Sequence, residues 1–71
     1  MNPIQKIRTE IGLSQQEFAK NIGVSQSAIS QAELGKTTVR PDTAKKIIHL
    51  CLKKGKKISL EDIYFNEGLN E

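Results

Sequence analysis

The sequence predicts an all-α fold, a single compact bundle of five short helices, on three observations. Start signals at Asn2-Pro3, Ser14, Ser25, Pro41 and Ser59 alternate with stop signals at Gly12, Gly23, Gly35 and Gly55. Between them the apolar residues recur at three- and four-residue spacing, the period of a buried helix face. No stretch shows the strict alternation of a half-buried strand, and the one short candidate, Ile63-Tyr64-Phe65, is only three residues long.

Each helix has its own grounds. Asn2 is expected to cap the first, with Pro3 at the first helical position and Ile4, Ile7 and Ile11 on the buried side. Ser14-Gln15-Gln16-Glu17 matches a capping box, in which the serine and glutamate satisfy each other's backbone donors. Phe18, Ala19 and Ile22 form the stripe behind that box, and Gly23 supplies the left-handed residue that stops the second helix. Ser25 caps a third helix that buries Ile29 and Ala32 and ends at Gly35. Lys36 to Arg40, polar and with two threonines, reads as loop. Pro41 restarts the chain as a helix with Ala44, Ile47, Ile48 and Cys51 on one side, ending near Gly55. Ser59 with Asp62 three residues on marks a last short helix through Ile63. No repeat, low-complexity tract or linker interrupts residues 1–71, which are expected to form one domain.

Composition narrows the function. At 37% hydrophobic and 27% charged, the chain has the make-up of a soluble globular protein rather than a disordered one. The single cysteine, Cys51, excludes an intrachain disulfide. The first residues lack the apolar core of a signal peptide, and Ile47 to Leu52, broken by His49, is too short to span a bilayer. A cytoplasmic location without a membrane partner is therefore expected. Net charge is only +3, but it is unevenly placed. Residues 1–35 balance to zero, whereas residues 36–57 carry eight bases against Asp42 alone. Residues 58–71 carry Glu61, Asp62, Glu67 and Glu71 with no base. The basic middle suits a polyanion. On charge alone, a solvated helix face of lysines fits equally well.

Enzyme chemistry finds little support. His49 and Cys51, two apart on a helix, point to different faces and form neither a metal site nor a nucleophile–base pair. Cys51 continues an apolar stripe and reads as a packed core thiol, and His49 as a solvated residue. The acidic tail has no basic or aromatic surroundings that would make it catalytic. No enzyme activity, cofactor, metal or small-molecule ligand is expected.

The informative stretch runs from Gln15 to Leu34. Two helices of about eight residues meet at a turn that needs a glycine, with the small Ala19 facing the joint. Leu13, Ala19, Gly23, Val24 and Ile29 keep the spacing of a helix-turn-helix at about residues 14–35. Ile11-Gly12-Leu13-Ser14-Gln15-Gln16-Glu17-Phe18-Ala19, then Gly23-Val24-Ser25-Gln26-Ser27-Ala28-Ile29-Ser30-Gln31 and Glu33-Leu34-Gly35-Lys36, resembles the phage repressor/Cro family of helix-turn-helix DNA-binding proteins. The resemblance covers residues 4 to about 52 well and 58–65 loosely.

Helix-turn-helix geometry also occurs in bundles that bind no nucleic acid, so the outward face of the third helix carries weight of its own. Gln26, Ser27, Ser30 and Gln31 share that face, which has no charge at all. Glutamine and serine can read base edges without desolvating an ion. The resemblance implies a sequence-specific transcription regulator, a Cro-like repressor that binds a pseudo-palindromic operator in double-stranded DNA as a dimer through the major groove. It places base contacts on Gln26, Ser27 and Gln31, with Ser30 a less secure neighbour. Gln15, at a helix start, is expected to contact phosphate, and the resemblance adds Lys36, Thr37, Thr38 and Arg40. It also implies a structural ion pair between Arg8 and Glu33.

Ile58, Leu60, Ile63, Tyr64 and Phe65 put five large apolar residues in segment 58–65, the expected dimer segment. Tyr64 and Phe65 are adjacent and cannot both face inward on a helix, so the two-fold contact is expected among Leu60, Tyr64 and Phe65, or Leu52. The area is small, so a homodimer weak in solution and completed on DNA is expected. The alternative is an antitoxin-type protein-interaction module that also binds DNA. Its toxin-binding extension is usually expected outside the DNA-binding core.

Overall fold

The computed structural model describes residues 2–64, and all of its regular structure is helical. The order is α1 (Pro3–Glu10), α2 (Gln15–Ile22), α3 (Gln26–Glu33), α4 (Pro41–Lys53) and α5 (Leu60–Tyr64). Ile63 and Tyr64 therefore lie in a helix rather than a strand, and Phe65 lies outside the described residues.

Local chemistry sets the boundaries. The Asn2 side chain accepts from the Ile4 N–H at 2.7 Å and opens α1, with Pro3 behind it. At α2 both halves of the capping box are present, Glu17 N–H to Ser14 Oγ and Ser14 N–H to Glu17 Oε1, each at 3.0 Å. Gly23 ends α2 with φ 76°, a left-handed conformation that side chains with a Cβ adopt at a cost. The Ser25 hydroxyl accepts from the Ala28 N–H at 3.1 Å and starts α3 two residues later. Asp62 closes back on the Ser59 N–H at 2.8 Å and turns the chain into α5.

The core is built from Ile4, Ile7, Phe18, Ala19, Ile22, Ile29, Ala32, Ala44, Ile47, Leu50, Cys51 and Ile63, drawn from all five helices. Two expectations need correction. Leu50, not Ile48, completes the buried stripe of α4: helix spacing alone would favour Ile48, but the elements packed against α4 cover Leu50 and leave Ile48 half-buried. Ile11 caps α1 and is only half-buried. α2 and α3 pack chiefly on each other at the joint where Ala19 is buried, while α1 backs α3 and α4 backs α2. The outer side of α3 is left to solvent.

Phe18 is fully buried at the centre of this core. Truncating a buried phenylalanine costs about 3–5 kcal/mol, against a total stability of about 4–10 kcal/mol for a chain of this length. Phe18→Ala is expected to remove most of the folding free energy in a urea melt. A midpoint equal to that of the unsubstituted chain would contradict this packing.

Candidate nucleic-acid interface

Helix α3 divides sharply between its two faces. Ile29, Ala32 and Glu33 are buried, while Gln26, Ser27, Ala28 and Gln31 are exposed and Ser30 is half-buried. Glu33 is the sole charged residue of α3, and it is 8% exposed. The outward face is thus free of charge in fact as well as in sequence.

A buried carboxylate needs partners, and Glu33 accepts three hydrogen bonds from two of them. Arg8 donates to it twice, from Nε at 2.5 Å and from a terminal guanidinium nitrogen at 3.2 Å. Gln15 donates its side-chain amide to Glu33 Oε1 at 2.9 Å. Arg8 sends its other terminal nitrogen to the Leu13 carbonyl at 2.9 Å, at the entrance to α2. The end of α3 is also tied to the start of α1, where Asn2 donates to the Ala32 carbonyl at 2.9 Å. One network therefore holds α1, the α2 entrance and the end of α3 in register.

The Gln15 side chain donates inward to Glu33, which leaves the helix start, on which its expected phosphate contact rests, to the backbone. What the α2 entrance still offers outward is backbone, since first-turn N–H groups have no partner within the helix. Ser14 takes only that of Glu17.

The α3–α4 connection presents Lys36, Thr37, Thr38 and Arg40 to solvent, with Val39 turned half inward against the core. Tyr64 pins it there, donating its hydroxyl to the Val39 carbonyl at 2.9 Å. Arg40 sits at the cap position of α4 but makes no side-chain capping bond, so the first turn of α4 keeps its N–H groups open. An arginine where a serine, threonine or aspartate normally caps was the one signal of this in the sequence. Tyr64, an expected dimer-interface residue, is half-buried and packs against its own core. Leu60 remains 46% exposed and Leu52 51% exposed, while Phe65 lies outside the described residues.

The other charges sort by role. Lys56 pairs with Glu10 at 2.8 Å and ties the α4–α5 loop to the end of α1. The hydrogen bond from Lys56 holds Glu10 below the usual carboxylate range, and Glu10 in turn raises Lys56. Burial pushes the Cys51 thiol up, keeping it a neutral core group. Among the described residues no three His, Cys, Asp or Glu side chains are grouped to hold a metal ion, and no helix is long and apolar enough to cross a membrane.

A family model described as helix-turn-helix matches residues 4–51, from the first turn of α1 to near the end of α4. Comparison with curated proteins and with solved structures gives no match.

The side chains of Arg8 and Glu33 are 13% and 5% exposed. Removing one member of such a pair strands the other, at a cost of about 3–5 kcal/mol. Glu33→Ala is expected to lower the thermal midpoint steeply. A melt that overlays that of the unsubstituted chain would show that the network does not hold α3 in place.

Proposed function

This chain belongs to the Cro/C1-type helix-turn-helix family of DNA-binding transcription regulators, and on that premise we propose that it is a compact, Cro-like repressor of a pseudo-palindromic operator. The observation that carries the proposal is the exposed, uncharged row of Gln26, Ser27 and Gln31 on a helix whose one charge is buried. α3 enters the major groove with this row toward the base edges. The Gln26 amide donates to N7 and accepts from the N6 amino group of an adenine, a bidentate fit that the other bases do not offer. Ser27 and Gln31 read neighbouring pairs, with half-buried Ser30 at the margin.

Phosphates are held from outside this row. Lys36, Thr37, Thr38 and Arg40 reach one strand from the pinned loop, assisted by the open first turn of α4. The backbone entrance of α2 takes another phosphate, with Gln15 holding it in place through Glu33. One such helix reads few base pairs, so two copies bind half-sites about 34 Å apart. Exposed Leu52 and Leu60 supply the two-fold contact, a small one that forms fully on the operator. Repression follows from occupying the duplex that polymerase needs.

Base readers and phosphate holders fail in different ways. Gln26→Ala is expected to relax preference at one base position by about 1–3 kcal/mol. Lys36→Ala is expected to weaken binding to every sequence alike and to lower the salt slope by about one. Affinities for a panel of single-base operator variants over a salt series separate the two. An unchanged preference in Gln26→Ala, or an unchanged slope in Lys36→Ala, would remove that residue from its role.

A further inference from the structure

An open groove runs between the end of α2 and the middle of α4, lined by Asn21, Lys45, Lys46, His49, Leu50 and Lys53. No acidic side chain lines it. The lysines lie along one side of α4. Elsewhere a base that serves the fold is given an acid, Glu33 for Arg8 and Glu10 for Lys56. Among the described residues none of the groove lysines has such a partner.

The position of the groove matters as much as its charge. A Cβ placed on Gly23 would lie 3.9 Å from Lys46 Nζ, so this ammonium sits at the turn between α2 and α3. Gln26, the first base reader, begins α3 just beyond that turn. From Lys45 to Lys53 the helix rises about 12 Å. A DNA strand presents a phosphate every 3.4 Å or so along the duplex axis, so a row about 12 Å long can face more than one of them. Lys45, Lys46 and Lys53 are exposed and hydrated, and lysine grips a phosphate as a point charge without being buried.

We propose that this groove is a second site for the backbone of duplex DNA, which takes phosphates flanking the base pairs read by α3. It rests on the DNA-binding function proposed above and adds to it a contact outside the helix-turn-helix. Lys46 is the inner anchor beside the turn, Lys45 and Lys53 extend the row, and the His49 ring and the Asn21 amide supply further hydrogen-bonding groups between them. Specificity stays with α3, while the groove lengthens the footprint on the DNA.

The test compares the full chain with Lys46→Gln/Lys53→Gln and with a charge-matched control, Lys54→Gln/Lys57→Gln, whose lysines lie outside the groove. Circular dichroism establishes that all three fold alike. Each is titrated over a salt series with a long duplex carrying the selected site, and with the same duplex bearing neutral methylphosphonates in its flanks. The groove variant is expected to lose about two units of salt slope, with base preference unchanged and no further loss on the methylphosphonate duplex. The unsubstituted chain and the control variant are expected to weaken on that duplex. Equal slope losses in the two variants, with equal sensitivity to the methylphosphonates, would reduce the groove to long-range attraction and overturn the proposal. So would a groove variant that binds like the unsubstituted chain throughout, the outcome expected if an acidic protein surface occupies the groove. Failure of the unsubstituted chain to bind any duplex would instead overturn the DNA-binding function itself.

Discussion

The register of α3, and with it of the outward row proposed to read bases, depends on one buried carboxylate. Glu33 lies at the end of α3, with Arg8 of α1 and Gln15 of α2 donating to it. An ionised carboxylate loses its water on burial and is stable only when its lone pairs are filled. The three helices must therefore arrive together, in one register, for any of them to be satisfied. Such a network does more to fix an arrangement than to raise stability, because apolar residues of the same volume would often be as stable. Removing the charge from the outer surface also leaves α3 free of a group that phosphates would repel.

In the proposed function, the rest of the bundle divides the work of holding DNA between rigid and adaptable parts. The row proposed to read bases stands on a helix fixed from behind by Ile29 and Ala32, so Gln26 and Gln31 start from a defined backbone position. The long lysines stand on α4 and the loops, where a flexible stem can find a phosphate without a fixed geometry. Tyr64 links the two parts. Its aromatic ring closes the core beside Ile63, and its hydroxyl anchors the loop that offers Lys36 and Arg40.

Most of the fold was legible because its signals are local. Asn2, Ser14, Gly23, Ser25 and Asp62 act on backbone groups within a few residues of themselves, so their effect can be read without knowing the fold. Ile48 and Leu50 show where that reading stops. Both are aliphatic and close in the stripe of α4, and only the neighbouring helices decide which one is buried. At the site, the uncharged face of α3 was visible as a pattern, and Arg8 and Glu33 followed from resemblance. The inward turn of Gln15 was not legible, because a glutamine at a helix start serves a phosphate or a carboxylate equally well. The same is true of Tyr64, whose partner is a backbone carbonyl 25 residues away that no side-chain pattern announces.

The central claim is that α3 reads sequence, in two copies, with its uncharged row. Selection of bound duplexes from a random library by the full chain tests this most directly. The account predicts enrichment of two inverted half-sites one helical turn apart, with adenine favoured at the position facing Gln26. Recovery of duplexes without a shared sequence, bound in proportion to their length alone, would contradict it.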